Sequence, residues 1–399
     1  FDLGDPGLNL AFNMGRSTMI ALLYSVPYWI DRIVVPRLCG RLIGTLVFPA
    51  AMTAVLFLSS LQPPLNGTQA KNVFATAPLP LLQIYALAGL WGFVFLWSWL
   101  AACVNHAWER GFSRASLAGA GGTFVAIAAA LFAYGSLRIM TADEPTTVRV
   151  AAVVMPAEEG GPTNMIEVFD DRMTSPYDTT MERLRAMTAD AAAGGAQIVA
   201  MSEFAIVVSE EDNERARAEF AQIAAEYGVW LSVPYAWVPE TGYGENRSLL
   251  YSDTGELVID YQKRFLLGLG DMGETAVFQR GAEVVQYADT PYGRIAVSIC
   301  RDMSFPRFAR QAGQAGADMM LVGSHEFPRG ITVNDPYRSL ENGFTQIRPT
   351  YDVITYAMNP YGRILNQMAE GAGEAGIMFA EVPTEGVRTL YARLGDWLG

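Results

Sequence analysis

Three side chains in the second half of the chain lie where a thiol nucleophile and its activating groups would be needed. Cys300 follows the apolar, β-branched run 295–299, Glu203 follows the apolar run 198–201, and Lys263 follows a hairpin-like segment. A thiol reacts as its thiolate, so it needs a base to take the proton and a cation to stabilise the charge. Open α/β architectures bind ligands at the carboxyl ends of strands. Glu203, Lys263 and Cys300 are therefore the candidate catalytic residues.

Each of these residues also has an ordinary structural interpretation when it is taken alone. Cys300 fits a buried structural thiol, Glu203 fits a helix N-cap or loop acid, and Lys263 fits a solvated lysine. His325, just past a predicted strand end, is an alternative base for Cys300. The second histidine, His106, lies at the end of an apolar segment and is interpreted as an interfacial residue.

The residue inventory argues against metal and nucleotide chemistry. Cys300 is the only cysteine after Cys103, so a disulfide or a multi-cysteine metal site near it is excluded. A zinc site lacks ligands, and the chain has no Gly-rich phosphate loop. We therefore expect no metal and no cofactor.

Short β-rich runs alternate with helical patterns from residue 148 onward. The helix 179–192, for example, has apolar residues at three- and four-residue spacing. This alternation predicts an α/β or layered α-β-β-α domain. The predicted strands are 148–154, 198–201, 229–233, 248–251, 257–261, 295–299, 319–322, 353–357 and 377–382, and the predicted helices are 179–192, 210–227, 305–315 and 336–347.

Composition separates an apolar first part from an acidic second part. Residues 1–138 contain eight basic and four acidic residues of the chain's 28 and 41, which leaves 20 basic and 37 acidic residues, a net charge of −17, for 139–399. This acidity argues against nucleic-acid binding. Residues 1–138 are predicted to be a transmembrane helical region of about four spans, because each apolar stretch is near the ~20 residues that cross a bilayer. These stretches are 17–35, 42–60, 81–105 and 118–137.

The first stretch is the weakest span, and the basic residues near all four predict their orientation. Pro27, Asp31 and Arg32 interrupt the first stretch, so a re-entrant or interfacial segment is the alternative there. Several long stretches do not fit a cleaved signal peptide. The basic residues concentrate in two of the connections, which the positive-inside rule places in the cytoplasm, whereas the connection 61–80 offers only Lys71. The acidic domain is then expected on the periplasmic side of a bacterial inner membrane. The cytoplasmic basic residues are Arg32, Arg37, Arg41, Arg110 and Arg114.

Taken together, the three candidate residues resemble the Glu-Lys-Cys triad of the nitrilase, or carbon–nitrogen hydrolase, superfamily. The segment 246–251 resembles that superfamily's approach to the lysine, 299–306 resembles its nucleophile turn, with an acid two residues after the cysteine, and 338–343 also fits. The resemblance covers 147–385 and implies a nitrilase-type α-β-β-α sandwich for this catalytic domain.

The apolar half is similar to the apolipoprotein N-acyltransferase family within that superfamily. The residues that carry this resemblance are Leu81-Leu82-Gln83-Ile84 and Gly89-Leu90-Trp91-Gly92-Phe93. The closing segment 386–399 resembles the approach to that family's last span. Because this span is missing and the chain begins without Met, we expect a fragment that lacks spans at both ends.

The resemblance implies lipoprotein biosynthesis through a thioester intermediate. Cys300 would take a fatty acyl chain from a phospholipid and pass it to the N-terminal amine of a diacylglyceryl-modified apolipoprotein, with Glu203 as general base and Lys263 stabilising the thiolate and the oxyanion. Glu274 is the candidate second glutamate, with Asp271 as its rival. Arg301 and Asp302 are the supporting residues of the nucleophile turn.

Two other functions stay open at the level of sequence. Where the acyltransferase family often has glutamate two residues after the cysteine, this chain has Asp302, as soluble amidases of the superfamily do. A membrane-tethered amidase or hydrolase acting on a small amide is thus the alternative enzyme, with water as the acceptor in place of an amine. A membrane scaffold built on an inactive nitrilase fold is the non-enzymatic alternative.

Overall fold

A computed structural model describes residues 6–38, 42–61, 67–68, 77–142, 146–156, 168, 172–268, 273–326, 336–351, 353–369 and 375–398. Arg41, Lys71 and Asp271 lie outside the described residues, and so does 327–335. The chain divides into two compact units. The first comprises Phe1–Gly67, Lys71–Met140 and Asp396–Gly399, and the second comprises Thr68–Ala70 and Thr141–Gly395.

The first unit is helical, because its apolar runs contain few residues that interrupt a helix. Among the described residues of this unit, four helical segments are long and apolar enough to cross a membrane by length and composition: Asn9–Leu38, Leu42–Leu61, Tyr85–Glu109 and Arg114–Met140. They correspond to the four predicted stretches, and the first continues through Pro27. The α-helices are α1 (Pro6–Val34), α2 (Val47–Leu61), α3 (Leu79–Leu82), α4 (Tyr85–Glu109), α5 (Arg114–Ser116) and α6 (Gly122–Met140).

The second unit contains two seven-stranded sheets. Its strands are β1 (Thr147–Val154), β2 (Ile198–Met201), β3 (Val207–Ser209), β4 (Trp230–Val238), β5 (Glu245–Tyr251), β6 (Leu257–Gln262), β7 (Gln286–Thr290), β8 (Gly293–Ile299), β9 (Met319–His325), β10 (Thr345–Arg348), β11 (Thr350–Tyr351), β12 (Thr355–Met358), β13 (Ile364–Met368) and β14 (Gly376–Pro383). Its α-helices are α7 (Tyr177–Ala193), α8 (Asn213–Tyr227), α9 (Glu274–Val277), α10 (Pro306–Ala315), α11 (Arg338–Asn342) and α12 (Leu390–Leu394).

Each sheet has a parallel centre flanked by antiparallel strands. The first has the order β14-β1-β2-β4-β5-β6 with β3 beside β4, and its neighbours β1, β2 and β4 are parallel. The second has the order β13-β12-β10-β9-β8-β7 with β11 beside β9, and β8, β9 and β10 are parallel. As a result, β2, β8 and β9 each end in a loop that can carry a functional side chain.

Two apolar layers hold these elements together. One layer joins the two sheets and includes Val150 and Ile198 from the first sheet and Val297 and Leu321 from the second. The other lies between the first sheet and helices α7 and α8, with Leu184 and Phe220 among its members. The predicted mixed α/β fold of nitrilase type is confirmed, with helices packed outside paired sheets.

The predicted helix 336–347 is wrong in its second half. Helix α11 ends at Asn342, because Gly343 adopts a left-handed conformation at φ +81°. A Cβ at Gly343 would lie 1.7 Å from the carbonyl oxygen of Val387, so the close approach of that chain also requires glycine. The following residues form β10, whose side chains are all buried.

Candidate active site

Glu203 follows strand β2 and is almost completely buried. The apolar side chains of β2 place the strand inside the sheet, so the residues that follow it emerge at the sheet edge. Phe204, directly after Glu203, has a φ of +56°, which is rare for a residue with a side chain. The Glu203 carboxylate accepts a hydrogen bond at Oε2 from the backbone N–H of His325, at 3.0 Å. The base candidate is thus fixed to the end of β9.

Lys263 comes directly after β6, at the end of the hairpin that β5 and β6 form. Its backbone N–H donates to the carbonyl oxygen of Asn246 at 2.8 Å, which extends the hairpin pairing by one step. Its side chain is 2% exposed. A lysine this deep in the protein requires a negative partner.

Two carboxylates provide that charge. Lys263 Nζ lies 2.7 Å from Oε1 of Glu203 and 2.6 Å from Oε1 of Glu274. The Asn246 amide donates to the same two oxygens, at 2.8 and 3.3 Å. The second oxygen of Glu274 accepts from the backbone N–H of Leu267 at 2.6 Å. Lys263 is therefore held between two fixed carboxylates.

Cys300 follows β8 and begins a 3₁₀ helix that spans Cys300–Ser304. Its φ of +43° is unusual for a cysteine and turns the thiol away from the line of the strand. The thiol donates to the backbone carbonyl of His325, with Sγ and O 3.4 Å apart. His325 thus contacts both Glu203 and Cys300 through its main chain.

The charges of this site shift several pKa values. Burial opposes the charged form of Lys263, but Glu203 and Glu274 outweigh burial, so its pKa is raised and it stays protonated. Burial raises the pKa of Glu274. Burial, with the nearby Glu203 charge, also raises the pKa of Cys300 well above its ordinary value, while Lys263 acts in the opposite direction. The resting nucleophile is therefore a thiol.

The imidazole of His325 is a weaker base than an ordinary histidine. Burial, with Lys263 nearby, lowers the pKa of His325 to about 4, so the ring is neutral at physiological pH. The ring stacks on Tyr351 with 4.7 Å between centroids. The contacts of His325 with Cys300 and Glu203 described above are made by its backbone.

Asp302 supports the nucleophile turn from inside. Its carboxylate accepts from the Tyr261 hydroxyl at 2.7 Å, from the backbone N–H of Phe265 at 2.8 Å and from that of Ile299 at 3.2 Å. Burial raises the pKa of Asp302 to about 6, against the opposing effect of Lys263 and these hydrogen bonds. Asp302 thereby ties β8 to the residues that follow Lys263.

Arg301, the second residue of the nucleophile turn, contacts the loop after Lys263. Its guanidinium donates to the carbonyl oxygen of Leu266 at 2.6 Å and lies 5.5 Å from the ring centroid of Phe305. Burial lowers the pKa of Arg301. Its side chain connects the nucleophile turn to the loop after Lys263.

The structure brings together all six residues that the sequence singled out: Glu203, Lys263, Cys300, Glu274, Arg301 and Asp302. Sequence reasoning did not assign a role to Asn246 or Tyr261, although Asn246 lies in the segment 246–251 and Tyr261 ends the predicted strand 257–261. The alternation of buried and partly exposed positions in β6 places Tyr261 on its buried face, whereas Asn246 is a buried polar residue that the pattern of β5 does not mark.

This arrangement is suited to acyl transfer through a thiol. A buried carboxylate can take a proton from the thiol, and a fixed ammonium can stabilise the negative charge that develops on sulfur or on a carbonyl oxygen. The backbone N–H that follows the nucleophile is a further donor for such an oxyanion. The same groups also serve amide hydrolysis, so the site alone does not separate these reactions.

Comparison with known proteins identifies relatives with both chemistries. The family model for carbon-nitrogen hydrolase matches residues 150–392. A deaminated glutathione amidase from Mus musculus is 28% identical over 129 residues, which are 30% of this chain and 40% of the relative. An apolipoprotein N-acyltransferase 2 from Treponema denticola is 22% identical over 381 residues, which are 82% of this chain and 70% of the relative. The chain thus spans about two fifths of the length of the amidases that it matches.

Two solved structures of an amidase from Nesterenkonia sp. AN1 share the fold, each with a TM-score of 0.50. One carries the acetamide moiety of fluoroacetamide, covalently added at the active site cysteine; it is 21% identical and covers 61% of this chain and 92% of that chain. The other is in complex with butyramide; it is 20% identical and covers 63% and 95%.

Proposed function

The chain belongs to the carbon–nitrogen hydrolase family, and we propose that it is a membrane-bound N-acyltransferase. It would move a fatty acyl chain from a phospholipid, through a thioester on Cys300, to the N-terminal amine of a lipid-modified cysteine on apolipoproteins. The observation that carries this proposal is the presence, in one chain, of the Glu203–Lys263–Cys300 cluster and four helices long and apolar enough to span a membrane. The Treponema denticola relative, which aligns over 82% of the chain, supports it.

In the first half-reaction, Cys300 acquires the acyl chain. Glu203 takes the thiol proton, and the sulfur attacks the ester carbonyl of the phospholipid. The new C–S bond forms as the C–O bond to glycerol breaks, and the proton on Glu203 passes to the glycerol oxygen. The products are a Cys300 thioester and a lysophospholipid.

The tetrahedral intermediate of this step carries a negative oxygen. Lys263 is the cation available to stabilise it, together with the backbone N–H of Arg301. Because Lys263 is held between two carboxylates, it needs no rearrangement to act. A preorganised donor of this kind commonly contributes about a hundredfold to the rate.

In the second half-reaction, the amine of the acceptor replaces the sulfur. The amine nitrogen attacks the thioester carbonyl, the C–N bond forms and the C–S bond breaks. Glu203 takes a proton from the amine and returns it to Cys300. Water has to be excluded until the amine attacks the thioester, because hydrolysis would release a free fatty acid.

The membrane location is part of the same proposal. Donor and acceptor are both lipid-anchored, so a catalytic domain attached to membrane helices meets them at the membrane surface. The arginine-rich connections favour a cytoplasmic position for residues 36–41 and 107–116 and a periplasmic position for the catalytic domain. The proposed location is the bacterial inner membrane, with membrane lipids, a phospholipid donor and a diacylglyceryl-modified apolipoprotein as partners.

A membrane-tethered amidase is the second candidate function. The amidase relatives favour it, and so does Asp302, which stands where the acyltransferase family often has glutamate. In that reaction, Cys300 would attack a small amide, an amine or ammonia would leave, and water would release the acid.

A competition between acceptors tests the two functions. The full chain in detergent, given a phospholipid and a diacylglyceryl-modified lipopeptide, is expected to yield the N-acylated peptide and a lysophospholipid. A Cys300→Ala variant is expected to yield neither. If the protein releases ammonia from small amides and does not acylate the lipopeptide, the acyltransferase proposal is wrong and the amidase is the function.

A further inference from the structure

A threonine from a distant part of the chain contacts the end of the turn that carries Cys300. Thr68 belongs to the second compact unit, although in chain order it lies between α2 and α3. Its backbone N–H donates to the carbonyl oxygen of Ser304 at 2.7 Å, and its hydroxyl donates to the same oxygen at 2.9 Å. Ser304 is the last residue of the 3₁₀ helix.

Arg338 holds the neighbouring carbonyl and the threonine at the same time. Its Nε donates to the carbonyl oxygen of Met303 at 2.8 Å, and its Nη2 donates to the Thr68 hydroxyl at 2.5 Å. Its remaining nitrogen pairs with the Glu341 carboxylate one turn along α11. All of these side chains are buried, and Thr68 and Glu341 are 0% exposed.

These bonds satisfy groups that the short helix cannot satisfy itself. The last carbonyls of any helix lack partners within it, and a buried carbonyl without a partner is destabilising. Thr68 and Arg338 supply donors to the carbonyls of residues 303 and 304, at the end of the helix opposite Cys300. At the other end, Asp302 holds the N–H of Ile299.

The turn needs this support because its first residue is strained. Cys300 adopts φ +43°, a conformation that persists only where the surroundings fix it. Without fixed ends, the turn can relax, and the thiol would move relative to Glu203 and Lys263. Asp302 belongs to the turn itself, whereas Thr68 and Arg338 hold it from outside.

We propose that Thr68, together with Arg338, is a positioning residue for Cys300. The pair clamps the carboxyl end of the nucleophile turn, and so keeps the thiol in reach of its base and cation. Neither residue touches a reacting atom. The inference rests on the proposed role of Cys300 as the nucleophile, but it does not depend on which acyl donor or acceptor the protein uses.

Thr68→Val tests the clamp, because valine keeps the shape of threonine and removes the hydroxyl. We measure the alkylation of Cys300 by iodoacetamide, a reaction that needs no acyl donor, across a pH series in the full chain. Thr68→Val is expected to shift the pH profile of this alkylation, because the thiol would move relative to Glu203 and Lys263, which both affect its pKa. Thr68→Ser, which restores the hydroxyl, is expected to show the wild-type pH profile.

A matched control separates positioning from stability. Thr188 is also 0% exposed, and its hydroxyl donates to the carbonyl oxygen of Leu184 in its own helix. Thr188→Val also removes a buried hydroxyl and is expected to lower thermal stability, with unchanged alkylation. An unchanged pH profile of alkylation in Thr68→Val, or no rescue by Thr68→Ser, would overturn the clamp.

A second variant changes Arg338, the other residue of the clamp. Arg338→Lys keeps a positive charge beside Glu341 but cannot reach both the Met303 carbonyl and Thr68. It is expected to shift the pH profile of alkylation as Thr68→Val does, and it decides the question if Thr68→Val does not fold. Wild-type alkylation in Arg338→Lys would overturn the proposal. If Thr68→Val alters the alkylation of Cys300 in a protein that transfers no acyl chain, the positioning role of Thr68 and Arg338 stands. The proposed acyltransferase function is then overturned.

Discussion

The ammonium of Lys263 lies 2.7 Å from Oε1 of Glu203, and both side chains are buried. A second carboxylate, from Glu274, lies on the same ammonium at 2.6 Å. The cluster therefore holds two carboxyl groups around one ammonium group. Burial is the main cause of the raised pKa of Cys300, the nearby Glu203 adds to it, and Lys263 acts in the opposite direction.

Replacing the base is expected to change two properties of Cys300 in opposite directions. Glu203→Gln removes a negative charge that raises the pKa of the thiol, so the pH dependence of iodoacetamide alkylation is expected to move to lower pH. The same variant lacks the proton acceptor, so acylation by a phospholipid is expected to fall about a hundredfold or more. Both rates are measured on the same preparation.

The control for that variant is Glu283→Gln. Glu283 pairs with Arg264 at 3.4 Å and its side chain is 49% exposed, so its amide is expected to leave both rates unchanged. If Glu203→Gln acylates at the wild-type rate, Glu203 is not the base.

Removing the cation is expected to destabilise the fold. Lys263→Met leaves Glu203 and Glu274 buried beside each other without a positive partner, and the loss of one member of a buried ion pair commonly costs about 3–5 kcal/mol. The free energy of unfolding is measured by chemical denaturation in detergent. The added change Glu274→Gln removes one of the two carboxylates and is expected to recover part of the loss.

A surface pair provides the comparison for the lysine. Arg149 lies 3.7 Å from Glu381, and their side chains are 45% and 59% exposed. Arg149→Met is therefore expected to cost less than about 1 kcal/mol. Equal losses in the two variants would mean that the buried cluster adds nothing to stability.

Asp302 is expected to make stability depend on pH. Its pKa is raised from 3.8 to about 6 in the folded protein, so the folded state binds the proton more tightly than the unfolded chain does. Its contribution is present below the unfolded pKa and is lost as the pH rises through the folded pKa, a change of about 3 kcal/mol.

The pH dependence is isolated by Asp302→Asn, which does not titrate. The difference in unfolding free energy between wild type and this variant is expected to decrease as the pH rises from the unfolded to the folded pKa. Asp253→Asn, in an exposed turn, is expected to follow the wild type. A difference that stays constant with pH would show that folding does not shift the pKa of Asp302.

Much of the catalytic unit follows from local sequence pattern. The strands that carry Glu203 and Cys300 are continuous apolar runs, and such runs are typical of strands covered on both faces. Strands β7 and β13 do not follow from the sequence pattern, because most of their side chains are exposed and neither strand alternates strictly between apolar and polar residues. Helix 336–347 was overextended because the left-handed turn at Gly343 is set by its packing against Val387.

The sequence predicts the residues of the candidate site more fully than the residues that hold them in position. Glu203, Lys263 and Cys300 stand at strand ends, so their type and place in the sequence were informative together. The contact of Thr68 with Ser304 joins residues 236 positions apart, and no periodic pattern marks it. A lone threonine in a connection between apolar segments gives no sequence signal for such a contact.

If Cys300 carries an acyl chain, intact-protein mass spectrometry will detect the chain as added mass on the protein. The full chain is incubated with phospholipid in the absence of an acceptor, beside Cys300→Ala and the matched thiol variant Cys103→Ala. We predict one added fatty acyl chain, lost on treatment with hydroxylamine, in the wild type and in Cys103→Ala, and none in Cys300→Ala. A folded wild-type protein without the adduct, or the same adduct in Cys300→Ala, would show that Cys300 is not the acyl carrier.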